Sequence, residues 1–418
     1  MTPAERLQAT LNHEQPDRVC VDLGSTPTSG MHVSIVQELR QAYGLKKRPV
    51  KVCEPYQMLG EIDADLQDAL QVDTTALPAV GTIFGFRNVN WKPFTTPWGQ
   101  DVLVPEGFRT TVDTHGDLLI YPEGDLEAGA SARMPVGSFF FDAIIRQPPI
   151  EEESLDPEDN LEDFTILDSE STAWFRREGE RLRGSQRAVV ASLPGTAFGD
   201  IALVPAPFLK KPKGIRDITE WYMATAMRPD YIHAVFEKQC EIALKNLEIV
   251  NEAAGDVIDV VFVCGTDFGT QTSQFCSVQT FNDLYAPYYK QVNDWIHAHT
   301  KWKTFKHSCG AVIPFIESFI DAGFDILNPV QCSAAGMDPA TLKQTYGDRI
   351  VFWGGGVDTQ KTLPFGTPEE VDREVRERVE IFSDGGGFVF DAIHNVQAQT
   401  PIENVVAMFK ALADVRGL

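Results

Sequence analysis

The sequence has no apolar run approaching the roughly 18 residues that a membrane helix requires, so a spanning segment is not expected. It is short of basic residues: 36 Lys and Arg stand against 60 Asp and Glu, a formal net charge of −24. A surface that acidic repels phosphate backbones and anionic lipid, which argues against nucleic acid or a membrane as partner. Disulfide patterning is absent as well, since the seven cysteines fall irregularly at positions 20, 53, 240, 264, 276, 309 and 332 and their number is odd. Residues 1–17 are polar and carry no apolar leader. Together these features predict a cytoplasmic protein with reduced thiols. The chain also lacks a P-loop, a G-x-S-x-G elbow and an H-E-x-x-H pair, which removes the direct signals for nucleotide, serine-hydrolase and zinc-protease chemistry.

What is present is enough apolar material for a large core, 43% of 418 residues. It is arranged as short continuous runs rather than alternating ones. Eight such runs occur, at 18–22, 72–78, 188–195, 257–267, 303–310, 325–331, 350–358 and 387–394. Unbroken Val/Ile/Phe runs fit strands buried on both faces of a parallel sheet. Amphipathic helical stretches separate the later runs, at 229–254, 281–299, 311–322 and 339–346. A further helix is announced by Thr367-Pro368-Glu369-Glu370, a capping box with proline at the first position, and is closed by Gly385-Gly386-Gly387. Strand–helix alternation with eight strands predicts an α/β fold of (β/α)8 TIM-barrel type, as a single domain over 1–418. Residues 88–184 break the pattern with hairpin-like pieces, prolines and an acidic run. They are expected to form an insertion after the second strand, a β-hairpin cover with a long acidic loop.

The candidate site residues lie at the C-terminal ends of these runs, where barrel active sites are built. His307 and Cys309, in His307-Ser308-Cys309-Gly310, are two apart on a strand and so share a face. An imidazole and a thiolate together suit zinc. His394 ends the eighth run and serves either as a third metal ligand or as a general acid/base. Asp267, in Cys264-Gly265-Thr266-Asp267-Phe268-Gly269, is a candidate acid/base group or fourth ligand, and Cys332 a candidate thiolate. Gln331 and Asp358, at two more strand ends, are taken as substrate-binding. The glycines of Trp353-Gly354-Gly355-Gly356-Val357-Asp358 would allow close approach of a phosphate or carboxylate. His297 and His299 close a helix and favour its negative end rather than a site.

These motifs, in this order, resemble the uroporphyrinogen decarboxylase superfamily. The resemblance runs from Thr2-Pro3-Ala4-Glu5-Arg6 and Pro16-Asp17-Arg18-Val19 through Val72-Asp73, Asp267-Phe268-Gly269, Lys306-His307-Ser308-Cys309-Gly310, Asn328-Pro329-Val330-Gln331 and Trp353–Asp358 to Thr400-Pro401-Ile402-Glu403-Asn404-Val405. That superfamily holds porphyrinogen decarboxylases and corrinoid-linked methyltransferases. The resemblance implies a pyrrole-binding role for Asp73. It also implies arginines after the first strand to pair with substrate carboxylates, yet residues 22–30 contain none. In the methyltransferases H-x-C plus a later cysteine holds zinc. Here His307 and Cys309 match, and His394 stands at or beside the later cysteine.

The expectation is therefore a corrinoid-linked methyltransferase of one-carbon or methoxyl-group metabolism. Zinc would be held by His307, Cys309 and His394, with cobalamin carried on a partner protein. The alternative is a decarboxylase or lyase acting on a small carboxylate, with His394 and Asp267 as acid/base groups. A non-catalytic ligand-binding barrel is the third class. A small-molecule substrate and a homo-oligomer complete the expected partners.

Overall fold

The computed structural model describes residues 1–417. Eight parallel strands form one sheet: β1 (Cys20–Val21), β2 (Thr74–Leu77), β3 (Ala188–Ser192), β4 (Val260–Cys264), β5 (Lys303–His307), β6 (Ile326–Asn328), β7 (Val351–Trp353) and β8 (Phe388–Phe390). Each lies inside one of the eight runs read from the sequence. The hydrogen-bonded order is β1-β8-β7-β6-β5-β4-β3-β2. At the remaining seam the Asp73 amide donates to the Val21 carbonyl (2.8 Å), so the sheet closes as an α/β barrel of TIM type.

Alternation along each strand sorts the side chains into two apolar bodies. Cys20, Ala188, Val190, Val260, Phe305, Ile326, Val351, Trp353 and Val389 fill the barrel, and Leu7 and Leu11 of the N-terminal helix plug its lower end. The intervening residues, among them Val189, Val261, Leu327, Phe352 and Phe390, face the ring of helices in the larger core. The helix Pro368–Ser383 begins at the Thr367 capping box. Gly385, Gly386 and Gly387 follow it, all with positive φ, the left-handed conformation that glycine adopts without steric cost.

Between β2 and β3 the chain builds two further four-stranded sheets. One joins Lys92–Thr95 and Asp101–Val104 to Val50–Glu54 and Leu59–Gly60 from the β1–β2 connection. The other is an antiparallel meander of Thr110–Val112, Leu118–Ile120, Ala132–Met134 and Asp142–Ala143. The helix Ser169–Leu182, within the segment expected to be an insertion, lies against Pro229–Ala254 as part of the helical ring. Gly179 makes that packing close: a Cβ there would stand 2.8 Å from the Ala254 Cβ.

The lower end of the barrel is held by charge. Asp73 immediately precedes β2, is buried, and accepts from Arg6 Nη1 (2.5 Å), Arg416 Nη2 (3.0 Å) and the Val21 amide (2.9 Å). Arg6 also pairs with Asp17. The substrate-binding role expected for Asp73 meets an obstacle here. An acid at the start of a barrel strand lies at the end opposite the catalytic mouth, and this one is fully engaged by two guanidinium groups. Asp73→Ala would leave both Arg6 and Arg416 buried without a counter-charge, and is expected to cost about 3–5 kcal/mol of stability. The shift in midpoint of chemical denaturation measures this, and a loss under 1 kcal/mol would show the cluster to be dispensable.

Candidate metal and catalytic site

His307 ends β5 with its side chain inside the barrel, two residues beyond the interior Phe305. Its Nδ1 lies 2.6 Å from Asn328 Oδ1 on the neighbouring β6. Asn328 Nδ2 donates to the Trp353 carbonyl on β7 (3.0 Å), which fixes the amide so that oxygen, not nitrogen, faces the imidazole. Nδ1 therefore carries the hydrogen, and Nε2 offers a lone pair to the mouth. Burial pushes the His307 imidazole well below its ordinary range, which keeps the ring neutral.

Cys309 lies on the same side, its Sγ 3.4 Å from His307 Nε2. Backbone geometry puts it there. Gly310 has φ +89° and touches Gly269 so closely that a Cβ would stand 2.5 Å from the Gly269 carbonyl carbon. This glycine-to-glycine approach brings the β4 loop against the β5 loop, and Asp267 Oδ1 accepts the Cys309 amide (2.7 Å). The Phe268 amide donates to Ser308 Oγ (2.9 Å), which locks the same two loops. Burial, and secondarily the Asp267 charge, push the Cys309 thiol far above its usual value. A thiolate at this position needs a cation beside it.

His394 comes from beyond β8, and its ring centroid is 5.6 Å from that of His307. One ligand atom each from His307, Cys309 and His394 lies within 4.8 Å of the others. Among the described residues this is the cluster of metal-ligating side chains that the fold assembles. Two neutral imidazoles and a thiol, with one imidazole already oriented by an amide, fit the donor preference of zinc.

The remaining expected residues are placed as follows. Asp267 Oδ1 is 4.0 Å from His307 Nε2, beside the cluster, with the Cys309 amide as its hydrogen-bond donor. Gln331 is buried and engaged at both ends: it accepts from the Gly310 amide (2.8 Å) and donates to Gln271 Oε1 (2.8 Å). It thus ties the β4, β5 and β6 loops together behind Cys309. Asp358 caps its own turn by accepting the Gln360 amide (2.7 Å). Cys332 donates to the Val330 carbonyl (3.4 Å) and has Arg378, Glu374 and Asp358 nearby. Neither Asp358 nor Cys332 joins the three-residue cluster. The glycines 354–356 are not an open cradle. Their Cβ positions are blocked by the Asn328 side chain, the Val330 carbonyl and the Phe390 ring, and the Gly354 and Gly356 amides already donate to Val389 and Asp391.

Three participants escaped the sequence. Asn328 read as part of a motif, without a role. Asp200, after β3, is pushed up to about 6 by burial, and the nearby Asp267 charge adds to the shift. Tyr222, stacked on Phe275 at a centroid distance of 4.7 Å, brings a buried hydroxyl without partner toward the same two acids. Asp200 lacked the signal that flagged Asp267, an acid just after a strand: it lies eight residues beyond the end of β3, whereas Asp267 follows β4 by three.

Asn328→Ala would free the His307 ring to rotate and to change tautomer. Zinc affinity is expected to fall about 10–100-fold, as read by competition with a chromophoric chelator. Unchanged affinity would show that Asn328 does not orient a ligand.

Comparison with known proteins places these features in a family. Over its full length the fold is similar to a methyltransferase from Methanosarcina mazei, with a TM-score of 0.53 and 16% identity across 99% of each chain. Among curated proteins, uroporphyrinogen decarboxylases of Coxiella burnetii, from strains Dugway 5J108-111 and RSA 493 / Nine Mile phase I, are 23% identical over 192 residues. That is 44% of this chain, and the match spans about half the length of those relatives (48%). The sequence model of the uroporphyrinogen decarboxylase (URO-D) family matches residues 205–415. That stretch is just over half of the chain and contains β4 to β8 with His307, Cys309 and His394, so the chain belongs to the uroporphyrinogen decarboxylase family.

Proposed function

We propose that the protein is a zinc-assisted methyltransferase that exchanges a methyl group between a small molecule and a corrinoid carried by a partner protein. The observation that carries this reading is the convergence of two imidazoles and a thiol within 4.8 Å at the barrel mouth. His307, Cys309 and His394 would hold the metal. When bound, the zinc would supply a Lewis acid that activates or positions the polar group next to the transferred methyl. The chain's own part is positional. Asn328 holds His307 in the tautomer that leaves Nε2 free. Asp267 and Gln331 hold the backbone of Cys309 and Gly310, and so fix the direction of the thiol. His394 reaches the site from beyond the last strand. The full-length likeness in fold to the Methanosarcina mazei methyltransferase agrees with this reading.

Porphyrinogen decarboxylation is disfavoured by charge. Residues 22–30, which follow the first strand, carry no arginine. Without those cations this stretch of the mouth offers no guanidinium to pair with a polycarboxylate tetrapyrrole. The second reading, a decarboxylase or lyase on a small carboxylate, draws support from Asp200. A carboxyl held near 6 next to Asp267 has the affinity for protons that a general acid needs at neutral pH.

Metal content, the His394→Ala variant and incubation with two substrate classes test these readings. Elemental analysis of protein purified without chelator is expected to give about one zinc per chain, with occupancy lost in His307→Ala and Cys309→Ala. His394→Ala is expected to keep the melting transition while losing activity. Incubation with reduced cobalamin and methylated small molecules is expected to produce the spectral change of methyl transfer, and incubation with uroporphyrinogen no coproporphyrinogen. Full methyl transfer by zinc-free protein would remove the metal from the account, and coproporphyrinogen formation would overturn the reading as a whole.

A further inference from the structure

Lys306 stands between the interior residues Phe305 and His307 on β5, so strand alternation points its side chain out of the barrel, toward the helices. It is fully buried. Its ammonium lies over the faces of three aromatic rings, 4.9 Å from the centroid of Phe268, 5.5 Å from that of Phe319 and 5.8 Å from that of Tyr289. Both of its hydrogen bonds go to backbone carbonyls, those of Thr266 and His307, each at 2.6 Å. An ion held in a core without a carboxylate beside it costs more than an apolar side chain of the same length, so packing alone does not account for a lysine here.

The position of those two carbonyls explains the ion. β4 and β5 pair from Val260 and Lys303 to Cys264 and Lys306, but β4 carries an extra residue between Phe262 and Cys264. A bulge of this kind disrupts regular pairing and bends the chain. Beyond it the Lys306 side chain takes over from the ladder. One ammonium joins Thr266, past the end of β4, to His307, the last residue of β5. The next residues continue the same junction: Ser308 Oγ accepts the Phe268 amide (2.9 Å) and Asp267 Oδ1 accepts the Cys309 amide (2.7 Å). Thr266 is moored on its other side as well, since its hydroxyl donates to the Phe198 carbonyl (2.6 Å) and accepts from the Tyr289 hydroxyl (2.9 Å). Two buried carbonyl oxygens that converge on one point need donors there. With the ammonium removed they have none, and the peptides next to Asp267 and Cys309 are free to turn.

We propose that Lys306 is a positioning residue of the metal site. Its ammonium clasps the Thr266 and His307 carbonyls, which fixes the loop that carries Asp267 against the strand end that carries His307. Asp267 then holds the Cys309 amide, and the thiol is presented 3.4 Å from His307 Nε2. The proposal rests on the reading of His307, Cys309 and His394 as metal ligands. Lys306 acts on that site through the backbone, and its effect falls on the thiol. The His307 ring has its own support in Asn328, and His394 arrives from beyond β8, so neither imidazole depends on the clasp.

Lys306→Met fills the aromatic cage but supplies no donor, and tests this in the full-length chain with Lys343→Met as control. Lys343 also donates to a backbone carbonyl, that of Gly386 (2.7 Å), which precedes β8 at the lower end of the barrel. Hydrogen exchange of the metal-free protein reads the clasp itself. Peptides spanning 266–271 and 307–311 are expected to lose protection in Lys306→Met and to keep it in Lys343→Met. Unchanged protection in Lys306→Met would overturn the proposal and leave the metal reading standing. Metal binding reads the consequence. Lys306→Met is expected to bind zinc and cobalt about 10–100-fold more weakly than the wild type, and its cobalt form to lose the thiolate-to-cobalt charge-transfer absorption while the ligand-field bands remain. Weaker binding with the charge-transfer band intact, or the same losses in Lys343→Met, would show a general loosening of the fold and overturn the assignment. Asp267→Ala removes the next link toward Cys309 without emptying the core, and is expected to give the same spectral loss should Lys306→Met not fold; an intact band there would overturn the route through Asp267. Wild-type protein that binds neither metal would overturn the metal reading and this proposal with it.

Discussion

Everything at the mouth of this barrel depends on the closure of its seam at the opposite end. β1 is two residues long and meets β2 through a single backbone bond, from the Asp73 amide to Val21. The Asp73 carboxylate reinforces that contact by accepting the Val21 amide, and binds Arg6 of the first helix and Arg416 just after the last one. One buried acid thus joins the seam and both ends of the described chain. A buried charge is tolerated when opposite charges and hydrogen bonds satisfy it, and here two guanidiniums do so. The motifs that open the family resemblance, Thr2–Arg6, Pro16–Val19 and Val72-Asp73, are largely this cluster. In this chain they build the frame rather than the catalytic site.

With the seam closed, β5 and β8, far apart in sequence, deliver His307 and His394 to one mouth. The polar groups lining the upper barrel are linked rather than scattered. Asn328 spends its carbonyl on His307 and its amide on Trp353, and Trp353 spends its indole N–H on Asp22. Each bond removes a choice: the tautomer of His307, the flip of Asn328, the orientation of the Asp22 carboxyl. Fully paired networks of this kind hold reactive groups in one arrangement in a low-dielectric interior. Asp391 Oδ2, by contrast, is buried without a hydrogen-bond partner.

Much of this was legible in the sequence. The eight strands were visible because strands buried on both faces must be continuously apolar. The spacing of His307 and Cys309 gave their shared face, and Thr367 and Glu370 gave a helix start that the structure reproduces bond for bond. Other features were hidden for physical reasons. Gly354–Gly356 looked like a ligand cradle, but the glycines are demanded by the approach of Asn328, Val330 and Phe390 from neighbouring strands, a tertiary contact with no local trace. The helix Ser169–Leu182 was obscured by its charged composition, since only Trp174, Phe175, Gly179 and Leu182 are buried. Asp73 was misplaced although the clue was present: it precedes its strand, and so belongs to the lower end. Asp22 and Asp391 fall inside the runs at 18–22 and 387–394, yet carried no assigned role, because burial of an acid leaves no local trace.

The central claim is that His307, Cys309 and His394 together ligate one metal ion. X-ray absorption at the zinc edge on the zinc-loaded chain tests this most directly. Two nitrogen shells of imidazole character at about 2.0–2.1 Å and one sulfur at about 2.3 Å are expected, with the sulfur contribution lost in Cys309→Ala and one imidazole lost in His394→Ala. A coordination shell without sulfur, or one that survives both substitutions unchanged, would contradict the account.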